Sequence, residues 1–400
     1  MSVSGDSAAV PIPNSRPRDR PFDPPDVFRH LRAADPVTKV PLPDGSSLWL
    51  ITRDEDARQV LVDRRFTTAS TPDLLRPRDA DLEARRVGNL LRLDPPEHTR
   101  VRRLLVGAFT PSRLRQMRTD IRLLVSDVLE TMARLTPPVD LIAHFALPIP
   151  SLVICELLGV PYADREGFQR RTGTLLDFAQ PTEKVTATAA EAREYMAGLV
   201  ARERDKPGDG IIGTLVRDHA DALTDAELIG LANHLLEAGH ETVAAMLGLG
   251  TLVLLGDPSA AARLRDDETA VPNAVEELLR YLTIIPYALP RTALADVPIA
   301  DTTIAAGDHV VISLASANRD ETTHDHPDRF DLDRPSTPHL AFGHGIHHCL
   351  GAQLARTQLT IAIPALLRKF PTLHPASSRT DLRFRTSSAV YGVRELPVAW

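Results

Sequence analysis

Cysteine is scarce in this sequence, with only Cys155 and Cys349 in a chain of 400 residues. So few cysteines exclude a disulfide framework and favour a reducing cytoplasm. The polar, proline-rich stretch from Met1 to Pro25 contains no apolar run that could serve as a signal sequence or a membrane anchor. The formal net charge is −7, and neither it nor its distribution points to nucleic acid as a partner.

The hydrophobic content, 43% of the residues, is sufficient for a large core. Helical patterns dominate from Pro95 to about Tyr281, whereas the strand-like segments are short. Those segments lie at residues 48–50, 297–304 and 309–314 and after Thr380. We therefore predict a mainly α-helical fold with a small β part, of the α+β class, in a single domain.

The segment from Phe342 to Gly351 presents Cys349 between glycines and directly before a helical pattern. A cysteine at a helix N-terminus lies where the helix dipole favours an anion, and the thiolate is the form that binds metals. Gly343 and Gly345 permit the backbone turns of a tight loop. The layout therefore suits a single thiolate presented to a metal.

Two other interpretations of this segment are weighed against that one. Cys349 could be a small buried hydrophobe, as cysteines often are. It could also join His344, His347 and His348 in a zinc site, but a structural zinc site usually needs a second spaced pair of ligands. The other cysteine, Cys155, lies in an apolar run and is interpreted as a core residue, which disfavours zinc.

The same segment resembles the haem-binding loop of the cytochrome P450 family, Phe-x-x-Gly-x-x-x-Cys-x-Gly, at all its fixed positions. The resemblance implies that Cys349 binds the iron of haem b (iron protoporphyrin IX) as a thiolate. It further implies that the haem is contacted by Phe342, Gly343, Leu350 and Gly351. The likeness runs from about residue 20 onward, so we expect a flexible segment over 1–20 and a haem domain over 21–400.

A long helix is predicted from Leu223 to Leu255, with Thr224 and Glu227 as its capping box. Its roughly 30 residues would extend about 45 Å through the centre of the molecule. The resemblance places the haem between this helix and the helix that follows Cys349.

The middle of that helix, Ala238-Gly239-His240-Glu241-Thr242, carries polar residues where burial is expected. Thr242 could donate to the carbonyl four residues earlier while Glu241 reaches solvent. Alternatively, an opened helix turn could make room for oxygen and water. The segment is similar to the family's acid–alcohol pair, which implies that Thr242 stabilises activated oxygen and Glu241 helps to deliver protons. Ala238 and Gly239 would contact the haem.

Two sets of charged residues complete the resemblance. Glu277 and Arg280 match the family's Glu-x-x-Arg, with Arg334 as the third member of a buried network that holds the cysteine loop. The second set is expected to contact the haem propionates, for which arginine is well suited. It consists of His98, Arg102, Arg291 and His347.

The resemblance implies a monooxygenase that hydroxylates or epoxidises a bulky, largely apolar molecule, such as a macrolide, a polyketide or a steroid-like metabolite. The pocket for this molecule is expected to be lined by the polar loop 72–90 and by small or apolar side chains. Those side chains are Leu235, Val243, Ile285, Ala288 and Ala389.

The expected partners are O₂ and a ferredoxin with its reductase, because the sequence contains no flavin or nicotinamide segment. Arg103 and Arg356 are candidates for binding an acidic ferredoxin. A monomer without nucleic-acid or membrane partners is expected. A peroxide-using haem-thiolate enzyme and a non-enzymatic haem protein remain as alternatives, although Glu241 and Thr242 argue against the first.

Overall fold

Helices make up most of the structure, a computed structural model that describes residues 15–42, 45–71, 86–219, 221–335 and 338–400. The α-helices are, in chain order, α1 (Val27–Ala34), α2 (Asp54–Val62), α3 (Glu97–Val106), α4 (Pro111–Ala133), α5 (Pro148–Leu158), α6 (Arg165–Leu176), α7 (Thr182–Asp205), α8 (Ile211–Asp218), α9 (Asp225–Leu255), α10 (Pro258–Asp266), α11 (Val271–Leu282), α12 (Leu314–Ala317) and α13 (Ala352–Lys369). The prediction of a mainly α-helical fold with a small β part is confirmed.

The strands are short and form three small sheets. They are β1 (Val37–Pro41), β2 (Ser47–Ile51), β3 (Phe66–Thr67), β4 (Val139–Asp140), β5 (Arg291–Ala293), β6 (Val297–Ile299), β7 (Thr302–Ile304), β8 (His309–Ile312), β9 (His374–Pro375) and β10 (Pro397–Ala399). The largest sheet has the order β1-β2-β8-β5-β3, in which only the β2–β8 pair is parallel. The others have the orders β4-β10-β9 and β6-β7. Because β5 begins at Arg291, the largest sheet fixes the backbone of one predicted haem contact.

The core is built around α9, which packs against α5, α7, α11 and α13. The predicted capping box begins this helix: the Glu227 N–H donates to Thr224 Oγ1 at 3.2 Å, and the Thr224 N–H donates to Glu227 Oε2 at 2.9 Å. Among the described residues, α9 alone is long and apolar enough to cross a membrane. Since 78% of its most apolar stretch is buried inside the protein, it is the central core helix.

The N-terminal part of the chain is attached to the end of α11. Residues 1–14, most of the segment expected to be flexible, lie outside the described residues. Arg16 is buried, and its guanidinium donates to the carbonyls of Leu282 at 2.7 Å and Thr283 at 3.0 Å. It also lies 4.1 Å from the ring centroid of Tyr391. Arg16 thereby caps the last turn of α11 and joins the end of this segment to the fold, which the expected division at residue 20 did not include.

Candidate active site

The loop that carries Cys349 is shaped by two glycines. Gly343 and Gly345 have φ angles of +70° and +71°, which side chains other than glycine adopt only with strain. A Cβ at Gly345 would lie 2.6 Å from the carbonyl oxygen of Leu61, so the loop approaches the end of α2 more closely than another residue permits. The loop is closed by the Cys349 N–H, which donates to the Phe342 carbonyl at 2.9 Å.

The Cys349 side chain has exposed surface, although the protein surrounds it on most sides. This burial raises the pKa of the thiol, whereas the Gly351 N–H and the guanidinium groups of Arg102 and Arg356 oppose the rise. The thiolate thus has one N–H donor and two cations in its surroundings. A bound metal ion would complete its deprotonation.

The four residues expected at the haem propionates come together in one cluster, the open cluster (His98, Arg102, Arg291 and His347). The rings of His98 and His347 are 4.6 Å apart between centroids. Burial, followed by the charges of His98 and Arg291, lowers the pKa of His347 to about 4. Burial also lowers the pKa of Arg291 to about 10.

Several polar atoms of the open cluster lack acceptors or donors among the described residues. Nε2 of His98 and both ring nitrogens of His347 are buried without a hydrogen-bond partner. Arg291 donates only to the Leu289 carbonyl, at 3.2 Å, and Arg102 only to the His348 carbonyl, at 2.8 Å. Buried donors without acceptors are costly, so this cluster fits an anionic group such as a haem propionate.

The helix α9 runs without interruption past the predicted catalytic residues, so the opened turn, one of the two interpretations of this segment, is not present. Thr242 Oγ1 instead donates to the Ala238 carbonyl at 2.9 Å, which is the alternative interpretation. Ala238 is exposed and Thr242 is partly buried. A Cβ at Gly239 would lie 2.5 Å from Ile154 Cδ1 of α5, so the packing of these two helices requires a glycine here, and the contact of Ala238 and Gly239 with haem stays a prediction.

Glu241 does not reach solvent, contrary to that alternative interpretation. Its carboxylate is buried and forms an ion pair with the guanidinium of Arg385, near the C-terminus of the chain. The sequence analysis missed Arg385. The two residues are 144 positions apart, and no local pattern marks this arginine among its exposed neighbours.

The residues expected to line a substrate pocket differ in burial. Val243 is buried in the main core, whereas Leu235, Ile285 and Ala288 are only partly buried. Ala389 is also partly buried. Residues 72–85 of the loop 72–90 lie outside the described residues, so a contact of this loop with substrate stays a prediction.

The Glu-x-x-Arg residues form a second charged group, the closed network (Glu277, Arg280 and Arg334). Arg280 donates to both oxygens of the Glu277 carboxylate, at 2.7 and 2.8 Å, and Arg334 Nε lies 3.1 Å from each oxygen. The Asp331 N–H donates to the same carboxylate at 3.0 Å. The remaining donors of Arg280 reach backbone carbonyls, including that of Asn318 at 2.9 Å. Every charge in this network therefore has a partner within the protein.

One of the two arginines expected to bind a redox partner is already engaged. Arg356 donates to both carboxylate oxygens of Glu276 at 2.7 Å and lies 4.6 Å from the ring centroid of Phe342. Burial opposes ionisation of Glu276, but Arg356 and His339 hold its pKa at about 2. Arg356 is therefore a structural residue, and only Arg103, exposed in the last turn of α3, remains a candidate.

The described part of the chain contains no group of ligands for the zinc site that was weighed as an alternative. No three or more His, Cys, Asp or Glu side chains there lie close enough together to hold a metal ion. Cys155 is buried in the core, and burial raises the pKa of its thiol to about 12. A site with Cys349 as the single protein ligand fits this arrangement.

Comparisons with known proteins agree with this geometry. The family model for cytochrome P450 matches residues 175–393. The chain is 44% identical to cytochrome P450-SU2 of Streptomyces griseolus, over 98% of this chain and 97% of that protein. It is 39% identical to the mycinamicin IV hydroxylase/epoxidase of Micromonospora griseorubida, over 97% of this chain and 100% of that one.

A solved structure shows the same fold. The mycinamicin VIII C21 methyl hydroxylase of Micromonospora griseorubida, bound to mycinamicin VIII, superimposes with a TM-score of 0.90 at 40% identity, covering 95% of this chain and 97% of that one. The likeness to each of these three proteins extends over at least 95% of this chain. The chain therefore belongs to the cytochrome P450 family, and it is an oxidoreductase of the haem-iron monooxygenase type.

Proposed function

We propose that the protein binds haem b through Cys349 and inserts one atom of O₂ into a bulky, largely apolar metabolite, by hydroxylation or epoxidation. The observation that carries this proposal is that two features occur together. Cys349 lies in a tight loop with glycines, and the open cluster contains buried nitrogens that have no hydrogen-bond partner among the described residues. Relatives named mycinamicin IV hydroxylase/epoxidase, mycinamicin VIII C21 methyl hydroxylase and vitamin D3 dihydroxylase support a macrolide, a polyketide or a steroid-like substrate.

When bound, the haem supplies the redox chemistry, and the chain supplies binding, orientation and exclusion of water. Cys349 would hold the iron, while the open cluster would receive the propionates. Phe342, Gly343, Leu350 and Gly351 would pack against the porphyrin from the cysteine side. These contacts fix the metal relative to α9, on which the proposed proton donors lie.

Thr242 and Glu241 are proposed to manage protons. The Thr242 hydroxyl, which donates to the Ala238 carbonyl, would break this hydrogen bond and pass a proton from Oγ1 toward the reaction centre. Glu241, the next residue, would resupply the proton after leaving Arg385. Each turnover consumes two electrons and two protons, places one oxygen atom in the product and releases the other as water.

The substrate side is proposed to be formed by Leu235, Val243, Ile285, Ala288 and Ala389. Apolar walls around a few polar groups bind apolar ligands and exclude water from the reaction. Because Val243 is buried, it would form the part of this wall that lies nearest the core.

The electron donor is proposed to be a ferredoxin served by its reductase, acting on a monomeric cytoplasmic protein. The haem domain is proposed to cover residues 21–400. Arg103 offers an exposed positive charge at the end of α3, whose first turn carries His98. A charge at the rim of a docking surface mainly affects the rate of association.

The first test is the absorption spectrum of the reduced protein under carbon monoxide, for the wild type and for Cys349→Ser and Cys155→Ser. A thiolate ligand shifts the Soret band strongly to the red of its position in histidine-ligated haem proteins. We expect this band in the wild type and in Cys155→Ser but not in Cys349→Ser. Its absence from the wild type would exclude Cys349 as the iron ligand. Macrolides, polyketides and steroids can then be screened by the substrate-induced spin-state change.

The electron donor is tested by turnover at increasing ferredoxin concentration. Arg103→Glu should raise the KM for an acidic ferredoxin by roughly threefold to tenfold, more at low ionic strength. Arg122→Glu, which changes an exposed arginine on α4, is the control and should change the KM less. Equal KM values for the two variants would exclude Arg103 from the docking surface.

A further inference from the structure

The ion partner of Glu241 lies on a C-terminal hairpin, residues 384–393. Phe384 and Val393 are paired antiparallel, and the Arg385 N–H donates to the Gly392 carbonyl at 2.7 Å. A Cβ at Gly392 would lie 3.3 Å from Arg385 Nε, so the glycine leaves space for the guanidinium. Arg385 is thereby held at the base of the hairpin.

The tip of the hairpin is tied to two other parts of the fold. The Ala389 N–H donates to the carbonyl of Leu176, the last residue of α6, at 2.9 Å. The Tyr391 N–H donates to the carbonyl of Ile284, at the start of the proposed pocket wall, at 2.8 Å. Ala389 itself belongs to that wall. One short element thus contacts both the proposed substrate side and the proposed proton donor.

The pair between Arg385 and Glu241 is shielded from solvent. The two side chains are 16% and 7% exposed, and neither forms another ion pair among the described residues. A buried carboxylate that loses its cation is left uncompensated, so this contact restrains Glu241 strongly. While it persists, the Glu241 carboxylate points to the hairpin and is withheld from Thr242.

We propose that Arg385 is a positioning residue that holds Glu241 until substrate displaces the hairpin, so that proton delivery depends on a filled pocket. Substrate in contact with Ala389 would shift the tip, and the hairpin backbone, joined by the hydrogen bond from the Arg385 N–H to the Gly392 carbonyl, would transmit the shift four residues back to Arg385. The guanidinium keeps its charge throughout. The proton that Glu241 gives up is replaced from solvent. This inference rests on the proposed role of Glu241.

The pair itself is tested without turnover, by thermal unfolding of the holoenzyme and its variants. We compare Arg385→Gln, Glu241→Gln and the double variant. Arg385→Gln strands the carboxylate and should lower Tm, and adding Glu241→Gln should recover part of the loss, because the uncompensated charge is gone. Strictly additive changes in Tm would overturn the pairing.

The gating is tested by electron consumption with and without substrate. Arg385→Gln should raise the consumption without substrate by roughly threefold or more, with the excess recovered as hydrogen peroxide, while the spectroscopic Kd for substrate changes less than about twofold. Arg385→Lys, which keeps the charge, should restore most of the restraint. Arg383→Gln, which changes an exposed arginine directly before the hairpin, is the control and should behave as the wild type.

The outcomes separate the inference from the function on which it rests. Non-additive Tm values with unchanged consumption would make the pair purely structural and overturn the gating. Wild-type product formation by Glu241→Gln would instead overturn the proposed proton donor, whatever the unfolding data show. If Arg385→Gln does not fold, Arg385→Lys with and without Glu241→Gln replaces it, because the shorter reach of lysine weakens the contact without removing its charge. A smaller rise in consumption without substrate is then expected, and consumption equal to that of the wild type would overturn the gating.

Discussion

The closed network and the open cluster differ in whether the protein itself provides a carboxylate partner for their buried positive charges. In the closed network, the Glu277 carboxylate lies between Arg280 and Arg334, and backbone groups take up the remaining donors. In the open cluster the nearby carboxylate, that of Asp94, instead accepts hydrogen bonds from Thr68. Buried charges that are paired within the protein hold the fold together, whereas buried donors left without an acceptor indicate a ligand-binding site.

The largest effect is expected from breaking the closed network with Glu277→Gln. This change leaves two buried guanidinium groups without a carboxylate, and it should lower the free energy of unfolding by about 3–5 kcal/mol. Urea unfolding measures the loss. Glu268→Gln, which removes an exposed partner of Arg368, is the control and should cost less than about 1 kcal/mol. Similar values for both variants would contradict the structural role of the network.

A smaller effect on a different property is expected from Arg291→Gln in the open cluster. The apoprotein should keep its stability, because a buried cation without a carboxylate is removed. Haem affinity should fall about tenfold to a hundredfold, the equivalent of about 1.5–3 kcal/mol for a hydrogen bond to a charged group. Titration of the apoprotein with haem measures this, with the exposed Arg134→Gln as the control. Loss of apoprotein stability without loss of haem affinity would reverse the comparison.

The third effect appears only at acidic pH and concerns His324, a buried residue beside the closed network whose ring nitrogens both lack hydrogen-bond partners among the described residues. Burial, and then the charges of Arg280 and Arg334, lower its pKa to about 4. Since an unfolded histidine titrates near pH 6.5, the unfolded state binds this proton first. Stability should therefore decrease as the pH falls from about 6.5 to about 4, by at most on the order of 3 kcal/mol.

His324→Leu should flatten this part of the pH profile. Unfolding free energies of both proteins between pH 4 and 7 provide the measurement. His30→Leu, an exposed histidine on α1, should leave the slope unchanged. An equal slope in the wild type and His324→Leu would show that His324 is not kept neutral in the folded protein.

Features encoded within a few residues could be predicted from the sequence. The start of α9 depends on Thr224 and Glu227, three positions apart, and the turns of the cysteine loop depend on its own glycines. The strand-like segment predicted at residues 48–50 lies within β2, which pairs with β1. In each case, local backbone preferences and side-chain spacing determine the structure.

Features that depend on distant partners could not be predicted. Glu241 is paired by an arginine 144 positions away, and Arg356 is occupied by Glu276, 80 positions away. The choice between a regular and an opened helix at Gly239 also depended on a distant residue, since Ile154 of another helix fills the space that the glycine leaves. Such contacts depend on tertiary packing, which the spacing of residues along the sequence does not reveal.

The attachment of Arg16 to α11 bears on the order in which the molecule assembles. Arg16 and Leu282 are 266 positions apart, and Arg16 also contacts the ring of Tyr391, 375 positions further along the chain. Closing so long a loop carries a large entropic cost before any contact compensates for it. The binding site of Arg16 is complete only after Leu282, Thr283 and Tyr391 have been synthesised, long after Arg16 itself. Binding of Arg16 at the end of α11 should therefore be one of the last steps of folding.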